Sequence, residues 1–512
     1  MALTRHQIRC VLAMVGQVEA EITPHSPHRM LSEVFRAVAP VWHWVLICVD
    51  ICIVGFAVGH VLLRQRDGRI AAFWAVIIAF VPLLGAIFYA MFGINRIGRR
   101  GQKYRAMSEV DRLAVSEACP IHPEQQVPEL MQLGILADTI GRLSRYNFTV
   151  GNHFVPLRSE EAMLAMLSAI RSAKHSISLC SYIFEANGVG AEFVAELEKA
   201  KLRGVQVRVL VDEMGTLYSW PPIIRTLRRR GITAQSFMHH HLFFRMVSMN
   251  LRNHRKVMVV DGTLGFTGGM NIRPGNMLSQ KPKHPVTDLH FQVEGPVVRQ
   301  LQRVFAEDWA FCCGEVLRGD IWYPELPHAG EVGAIGVPDG PDEDFELMSK
   351  VIFAAITSAR HDIRVMTPYF LPDPPLIWAL NAAALRGVDV TIITPRHNNI
   401  PYVRWASRTL FPQMLERGVH ILEAEGHFDH TKFMTVDSLW SLVGSTNWDP
   451  RSLRLNFEFN TACFDDILAK QLNAIFEKTL QECHAVTLAE LKAATLPVRL
   501  RDGIARLFMP VL

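Results

Sequence analysis

The chain has 512 residues, of which 49% are hydrophobic, with a mean hydropathy of +0.15 and a formal net charge of +4. The length allows two or three domains, and so small a net charge argues against a nucleic-acid-binding protein. Nine cysteines, odd in number and without paired spacing, argue against a disulfide framework and fit a reducing compartment.

Two apolar runs near the N-terminus predict a pair of membrane-spanning helices. Residues 41–63 and 70–92 each form a run of 23 residues, enough to cross a hydrocarbon core about 30 Å thick. Asp50 is the single acidic residue in the first run, and Pro82 is expected to kink the second helix. Seven basic residues flank the pair and three lie between its runs, which favours a cytoplasmic location for both ends.

From about residue 150 onward, strand-like and helix-like segments alternate, as in α/β proteins. Residues 177–184 and 205–212 read as strands around a helical segment at 192–203, and the same order returns after residue 362. Each half is therefore predicted to be an α/β sandwich around a mixed sheet. We divide the chain into an N-terminal segment (1–40), a two-helix transmembrane hairpin (41–95), a juxtamembrane linker (96–150), a first half (151–325), a linker (326–344), a second half (345–490) and an amphipathic tail (491–512).

Short phrases recur in the same order in both halves, which indicates an internal duplication. The segment 169–177 matches 355–363, and the Arg-Gly-Val phrase at 203–205 returns at 386–388. Common turns between strand and helix could explain one such match, but not an ordered series.

A His-x-Lys-x₄-Asp pattern occurs twice and is the strongest functional signal. The two copies are His254, Lys256 and Asp261, and His430, Lys432 and Asp437. In both copies an asparagine follows the histidine after 17 residues, Asn271 in the first and Asn447 in the second. The shared offset predicts two half-sites that meet to make one active centre.

The composition of such a centre suits a phosphodiester. His and Lys two positions apart at the start of a strand face the same side of the sheet. Two halves would supply two imidazoles, one as nucleophile and one as acid, together with two ammonium groups and two amides for the phosphate oxygens. Asp261 and Asp437 belong to the motif and are counted with the catalytic candidates, although their strand-to-turn positions favour a structural role.

The doubled motif resembles that of the phospholipase D superfamily, and within it the bacterial cardiolipin synthases. The segments 253–256 with 268–272, and 430–434 with 444–452, are similar to the two motifs of that family. The phrase Pro-Leu-Leu-Gly at 82–85 of the hairpin is similar as well. The resemblance implies two phospholipase D-like α/β sandwich halves with a shared active site, preceded by an α-helical transmembrane hairpin.

This resemblance implies ping-pong phosphatidyl transfer without a metal or another cofactor. His254 would attack the phosphorus of phosphatidylglycerol, and His430 would protonate the departing glycerol and then activate the hydroxyl of a second phosphatidylglycerol. Superfamily precedent favours His254 as the nucleophile, although the residues alone do not decide between the two. Lys256 and Lys432 would supply the positive charge that a metal ion brings elsewhere.

In the superfamily a carboxylate further along the chain orients each histidine. Glu458, 28 residues after His430, matches that group, and Asp288 is the candidate in the first half, where the corresponding stretch is longer. The implied partners are phosphatidylglycerol and other anionic lipids, with no nucleic acid, and a homo-oligomer is left open. The implied location is the bacterial inner membrane, multi-pass, with a cytoplasmic catalytic domain.

Three alternatives differ in what the centre does. A lipid hydrolase would use the same intermediate and release phosphatidic acid. A superfamily nuclease fits the hairpin and the low net charge poorly, and a catalytically inactive lipid-binding scaffold would not need two complete motifs. The second substrate is also open between another phosphatidylglycerol, phosphatidylethanolamine and a free alcohol.

Three further segments are weaker candidates. The triple histidine at 239–241 cannot easily direct all its rings at one metal ion, so a loop is favoured. The basic run at 225–230 is typical of a solvated helix end, with attraction of anionic lipid as the alternative. The tail from Arg499 onward could lie in a membrane interface or pack on the catalytic domain.

Overall fold

The computed structural model describes residues 27–65, 68–93, 134–237, 252–341 and 346–507. The chain forms two compact units, divided after Ile94. The triple histidine at 239–241 lies outside the described residues, as do residues 1–26 of the N-terminal segment and residues 96–133 of the juxtamembrane linker.

The first unit is a helical assembly in which two shorter helices pack against a long one. Its elements are α1 (Pro27–Arg64), α2 (Gly68–Phe80), α3 (Pro82–Phe88) and a π-helical turn (Tyr89–Gly93). Val61 and Ile78 are fully buried in its small core, and the His60 ring contacts the Tyr89 hydroxyl at 2.8 Å. Large apolar side chains such as Phe56 and Phe80 are exposed on its outside.

The second apolar run is broken at Pro82, where the sequence predicted a kink in a continuous helix. Proline has no amide hydrogen and its ring clashes with the preceding turn, so α2 ends at Phe80 and α3 begins at Pro82. Among the described residues, one helical segment, Trp44–Arg64, is long and apolar enough to cross a membrane, with a mean hydropathy of 2.5. The pair of spans therefore stays a prediction.

In the described part of the second unit, helix α4 (Gly134–Leu143) comes first, and both halves follow it. The strands of the first half are β1 (Thr149–Arg158), β2 (Ser176–Ser181), β3 (Gln206–Asp212), β4 (Thr233–Phe237), β5 (Val257–Val260), β6 (Leu264–Gly268), β7 (Val286–Thr287) and β8 (Leu289–Glu294). Its helices are α5 (Glu160–Ser172), α6 (Val189–Leu202), α7 (Ile223–Arg229) and α8 (Val298–Cys313).

The second half repeats this order of elements. Its strands are β9 (Val332–Asp339), β10 (Asp362–Met366), β11 (Asp389–Pro395), β12 (His420–Ala424), β13 (Phe428–Asp429), β14 (Phe433–Val436), β15 (Trp440–Gly444), β16 (Glu458–Phe464) and β17 (Cys483–Ala485). Its helices are α9 (Leu347–Ser358), α10 (Pro374–Leu385), α11 (Pro401–Arg408), α12 (Phe411–Leu415), α13 (Pro450–Arg454), α14 (Asp466–Leu480), α15 (Leu488–Ala493) and α16 (Leu496–Leu507).

Fifteen of the described strands form one mixed sheet that is symmetric about its centre. Outward from the centre, the order β1-β8-β6-β5-β2-β3-β4 on one side matches β9-β16-β15-β14-β10-β11-β12 on the other, with β17 added at the far edge. The halves join where β1 pairs with β9, through Thr149 with Ala334 and Asn152 with Val332. The predicted duplication of an α/β half is thereby confirmed.

The apolar faces of the helices cover both faces of this sheet. In each half, the helix that follows the last long strand lies across the sheet: α8 contacts β4, β5 and β6, and α14 contacts β14, β15 and β10. Trp309 of α8 is fully buried, as is Leu472 of α14. This packing fixes the strands that carry the two motifs.

The C-terminal tail is a helix that packs on the second half through one face. Asp502 and Ala505 of α16 are buried where it contacts α11, and the Arg501 guanidinium lies 4.5 Å from the centroid of the Trp405 ring. Leu500 and Ile504 remain exposed on the same helix. A location in the membrane interface stays a prediction for that exposed side.

Candidate active site

Each histidine motif begins with a backbone hydrogen bond to the opposite half. The His254 amide donates to the carbonyl oxygen of Phe457 at 2.8 Å, and the His430 amide donates to that of Thr287 at 2.7 Å. Next to the second contact, β13 of the second half pairs with β7 of the first half. The two motifs therefore lie where the halves interlock.

The carboxylates next to the histidines are also exchanged between the halves. His254 Nδ1 donates to Glu458, with distances of 2.9 and 3.0 Å to the two carboxylate oxygens, and His430 Nδ1 donates to Asp288 Oδ2 at 2.7 Å. An ionised carboxylate can only accept hydrogen bonds, so Nδ1 carries the proton in both rings. Each Nε2 is then left with a free lone pair.

Asp288 and Glu458 occupy equivalent places in the two halves. In the first half, Gly268 of β6 pairs with His290 of β8, and Asp288 lies two residues before His290. In the second half, Gly444 of β15 pairs with Asn460 of β16, and Glu458 lies two residues before Asn460. The longer spacing in the first half comes from two short 3₁₀ turns between residues 274 and 280. Asp288 is therefore the topological counterpart of Glu458.

Both carboxylates are ionised at neutral pH. Burial raises the pKa of Asp288, but Lys432 and His430 outweigh burial and hold that pKa below its ordinary value. Burial likewise raises the pKa of Glu458, but the electrostatic interaction and hydrogen bond with the His254 ring, together with the charge of Lys256, outweigh burial and leave the pKa lowered. These two anions fix the tautomer of the rings that they contact.

Two buried lysines accompany the rings. Lys256 Nζ donates to the carbonyl oxygen of His254 and Lys432 Nζ to that of His430, both at 2.6 Å. Burial lowers the pKa of Lys256 to about 7 and also lowers the pKa of Lys432. An anion bound between these ammonium groups would stabilise their charged form.

Both imidazoles are neutral at pH 7. Burial lowers the pKa of His430 to about 4, with a further contribution from Lys432, and Asp288 opposes the shift. Burial also lowers the pKa of His254, against the opposing effect of Glu458. Such rings offer a nucleophilic or basic nitrogen without first losing a proton.

Asp261 and Asp437 lie away from this centre, and their place among the catalytic candidates is corrected here. Each sits at the far end of its strand, about 16 Å from the lysine of its motif at 3.3 Å per residue. Asp261 accepts hydrogen bonds from the amides of residues 174–176 at 2.6 to 3.1 Å, and Asp437 accepts from the amides of residues 360–362. Both carboxylates hold a turn, as their positions in the sequence favoured.

The two asparagines lie in equivalent loops after β6 and β15, and both are buried. Asn271 Oδ1 accepts from the Ile183 amide at 3.1 Å, which leaves its amide hydrogens for a ligand. Asn447 Nδ2 donates to Ser452 Oγ at 3.2 Å. A contact of either side chain with phosphate stays a prediction.

Two tyrosines that the sequence motifs do not include border the histidines. The Tyr182 ring meets His254 edge to face at a centroid distance of 5.0 Å, and the Tyr369 ring meets His430 at 6.1 Å. Lys256 Nζ also lies 5.4 Å from the Tyr182 centroid. The signal that could have found them is an aromatic residue just after the strand beside each motif strand.

Arg255, between the first histidine and lysine, was also missed. It donates through Nε to the carbonyl oxygen of Glu458 at 2.9 Å and through Nη1 to Asp308 at 2.6 Å. Asn253 Nδ2 donates to the other oxygen of Asp308 at 2.7 Å. This buried network fixes the backbone of Glu458, and through it the ring of His254.

Two segments of the chain, 166–309 and 352–480, match the family model described as cardiolipin synthase, PLD-like domain, and residues 52–93 match the one described as phospholipase D-nuclease N-terminal. The chain is 35% identical over 472 residues to a cardiolipin synthase of Geobacillus sp. (strain WCH70), with 90% of this chain and 92% of that protein covered. The chain belongs to the cardiolipin synthase family.

Other relatives agree with this membership. The chain is 28% identical to cardiolipin synthase 2 of Staphylococcus epidermidis, covering 89% of this chain and 95% of that one. The crystal structure of phosphatidylserine synthase from Haemophilus influenzae Rd KW20 shares its fold, with a TM-score of 0.56 and 16% identity over 74% of this chain and 100% of that chain. The family predicted from the sequence is confirmed.

One difference between the halves of this cardiolipin synthase family member lies directly at the carboxylates. Ser445 Oγ donates to Glu458 at 2.5 Å, and Asn456 Nδ2 adds a bond at 3.2 Å. The matching position in the first half is Gly269, where a Cβ would meet Asp288 and lie 2.6 Å from Lys432 Nζ. The first half therefore has no side chain where the second half supplies a hydroxyl donor, and Asp288 and Lys432 closely approach the backbone there.

Proposed function

We propose that this protein joins two phosphatidylglycerol molecules into cardiolipin and releases glycerol, through a phosphatidyl-histidine intermediate. The observation that carries the proposal is the reciprocal pair of His–carboxylate contacts, His254 with Glu458 and His430 with Asp288. Each contact leaves an Nε2 free, and two buried ammonium groups lie beside the rings. The cardiolipin synthases among its relatives support the same reaction class.

The charges of the site explain how it would obtain a general acid. With Lys256 and Lys432 held in their charged form by the bound anion, the two ammonium groups, two carboxylates and two neutral imidazoles of the site sum to zero. A phosphodiester brings one negative charge, which favours uptake of one proton by an imidazole. Because His430 has a low pKa in the free protein, this uptake would be coupled to substrate binding.

The first half-reaction then needs both rings. Nε2 of His254 attacks phosphorus, the bond from phosphorus to the glycerol oxygen breaks, and protonated His430 gives its proton to that oxygen. Lys256 and Lys432 stabilise the charge on the other phosphate oxygens. Glu458 stabilises the positive charge that develops on His254.

The second half-reaction reverses the proton movement. Neutral His430 takes the proton of the hydroxyl group of a second phosphatidylglycerol, whose oxygen bonds to phosphorus as the bond to His254 Nε2 breaks. Cardiolipin leaves, His430 releases the proton that it took from the hydroxyl to solvent, and both rings are neutral again. If water took the place of the second lipid, the product would be phosphatidic acid, and the same site would act as a hydrolase.

The membrane location belongs to the same proposal. The apolar segment Trp44–Arg64 would anchor the chain, and the run through α2 and α3 would complete a second crossing. The excess of basic residues flanking the pair supports a cytoplasmic catalytic unit in a bacterial inner membrane. Phosphatidylglycerol would then reach the site from the cytoplasmic leaflet.

Product analysis with the purified full-length protein tests the proposal. Mixed micelles that contain phosphatidylglycerol labelled in the glycerol headgroup should give cardiolipin and free labelled glycerol in equal amounts. Phosphatidic acid as the main product would establish the hydrolase instead. Protein denatured at mildly alkaline pH, where the P–N bond of a phosphohistidine is stable, should carry the phosphatidyl group on His254, and its recovery on His430 would reverse the two roles.

A further inference from the structure

A short loop after β3 exposes apolar side chains beside the active site. It contains the 3₁₀ turn Gly215–Tyr218 and continues to Trp220. Trp220 is 90% exposed, and Leu217 and Tyr218 are more than half exposed. Adjacent exposed side chains of this size are costly in water and mark a contact surface.

The base of the loop is held against the residues that border the catalytic histidines. Gly215 packs so closely on the carbonyl oxygen of Tyr182 that a Cβ would not fit between them. The amide of Ala186 donates to Ser219 Oγ at 2.8 Å. The loop is therefore anchored at the mouth of the site.

A basic cleft lies next to the apolar tip. It has a volume of about 480 Å³, and its lining includes Tyr218, Trp220, Arg229 and Arg230. The two arginines lie at the C-terminal end of α7. They belong to the basic run at 225–230, for which the sequence allowed either a solvated helix end or a contact with anionic lipid. Arg230 has an exposed ion pair with Glu198 at 2.9 Å, which is weak in water. Cations and an amphipathic aromatic ring thus share one cleft.

We propose that the 217–220 loop and this cleft dock on an anionic phospholipid surface, with lipid phosphate at Arg229 and Arg230 and the Trp220 ring at the level of the headgroups. Arginine matches phosphate through paired donors, and tryptophan favours the boundary between water and acyl chains. The inference rests on the proposed function in one respect, namely that the substrate is a membrane lipid. It adds a lipid contact outside the catalytic centre that holds the mouth of the site at the bilayer.

Hydrogen exchange of the full-length protein in nanodiscs tests the docking without any turnover. The variant His254→Ala is used, so that the lipid is not consumed. The amides of residues 215–220 should exchange several-fold more slowly in discs of mixed phosphatidylglycerol and phosphatidylcholine than in discs of phosphatidylcholine alone. A peptide that contains Leu202, which is 81% exposed in the same half, is the internal reference.

Charge variants identify the arginines. In the same background, Arg229→Gln with Arg230→Gln should abolish the difference between the two kinds of disc, because one basic residue near an anionic surface contributes about fivefold in affinity. Arg225→Gln removes the same charge from the same helix at a position outside the cleft and should retain the difference. Equal exchange in the two kinds of disc, or equal effects of the cleft and control substitutions, would overturn the proposal.

A kinetic measurement tests the role of Trp220, at the apolar tip of the loop, in lipid docking. Trp220→Ser should raise the apparent KM for phosphatidylglycerol, expressed as its surface fraction in vesicles, by about tenfold, whereas Leu202→Ser should leave that KM unchanged. The same KM for both variants would remove Trp220 from the docking surface. Because the exchange experiment does not depend on activity, it can succeed or fail independently of the proposed reaction.

Discussion

Glu458 accepts a hydrogen bond from His254 across 204 residues of sequence, while Asp288 accepts one from His430 across 142. Both bonds run from one half to the other. The orientation of each imidazole therefore depends on the correct folding of the half that does not contain it. A substitution at Glu458, near the end of the second half, should therefore change the orientation of the His254 ring in the first half.

Replacing Glu458 by Gln should lower the rate of cardiolipin formation by about a hundred- to ten-thousand-fold. A neutral amide cannot stabilise a positive charge on His254, and its NH₂ group can support the wrong tautomer. The initial rate of glycerol release measures the effect. Glu482→Gln, at an exposed position, is the matched control and should retain the rate. A Glu458→Gln enzyme with more than a tenth of the original rate would contradict the orienting role.

Gly269→Ala should inactivate the protein while its fold is retained. The added methyl group would meet Asp288 and lie 2.6 Å from Lys432 Nζ, so one of these groups must move away from His430. Gly141→Ala, where a Cβ meets nothing within 4 Å, is the control. We expect at least a hundredfold loss of turnover for Gly269→Ala and no loss for Gly141→Ala. Turnover within threefold of the original would show that the close approach of Asp288 and Lys432 to the Gly269 backbone is not needed.

The stability of the free protein should fall as the pH drops from 6.5 toward 4.5. The pKa of His430 is about 4 in the folded protein and about 6.5 in an unfolded chain, so the unfolded chain binds more protons in this window. The full cost of this single ring is at most about 3 kcal/mol and is complete only below pH 4. Thermal melting in detergent should show a smaller decrease in Tm between pH 6.5 and 4.5 for His430→Gln than for the original protein. Parallel decreases would rule out His430 as a cause.

Tyr182→Leu should lower turnover by about tenfold, and Tyr182→Phe should restore most of it. The edge contact with His254 and the position of Lys256 over the ring both depend on the aromatic face, and contacts of this kind contribute about 1 kcal/mol each. Single-turnover formation of the histidine adduct gives the rate directly. If Phe were as harmful as Leu, the hydroxyl group and not the ring would be the important part.

The sequence identified the residues of the active centre better than it predicted which of them contact each other. A repeated motif identifies His254 and His430 because both copies are local in the chain. Spacing within one half, however, does not say which histidine a carboxylate contacts, and Glu458 lies against His254 although it follows His430. That exchange arises from the pairing of the halves around β1 and β9, which no local pattern encodes.

The same limit applies to the first unit. Hydropathy counts apolar residues and identified the run at 70–92, but it carries no information on backbone hydrogen bonds or backbone packing. Pro82 removes one amide hydrogen bond, and Gly85 lets the next turn approach Ile77 so closely that a Cβ would lie 2.7 Å from its carbonyl oxygen. The run is therefore two short helices, where composition suggested one long helix.

The exchange of carboxylates has a consequence for the ancestry of the chain. A protein with one repeat would hold half of each His–carboxylate pair, so it could complete its chemistry only as a twofold dimer. Fusion of two such genes would have freed the copies from identity, and Gly269 opposite Ser445 records a place where they have since diverged. One ancestral symmetric pocket could in this way have become a centre with separate donor and acceptor sides.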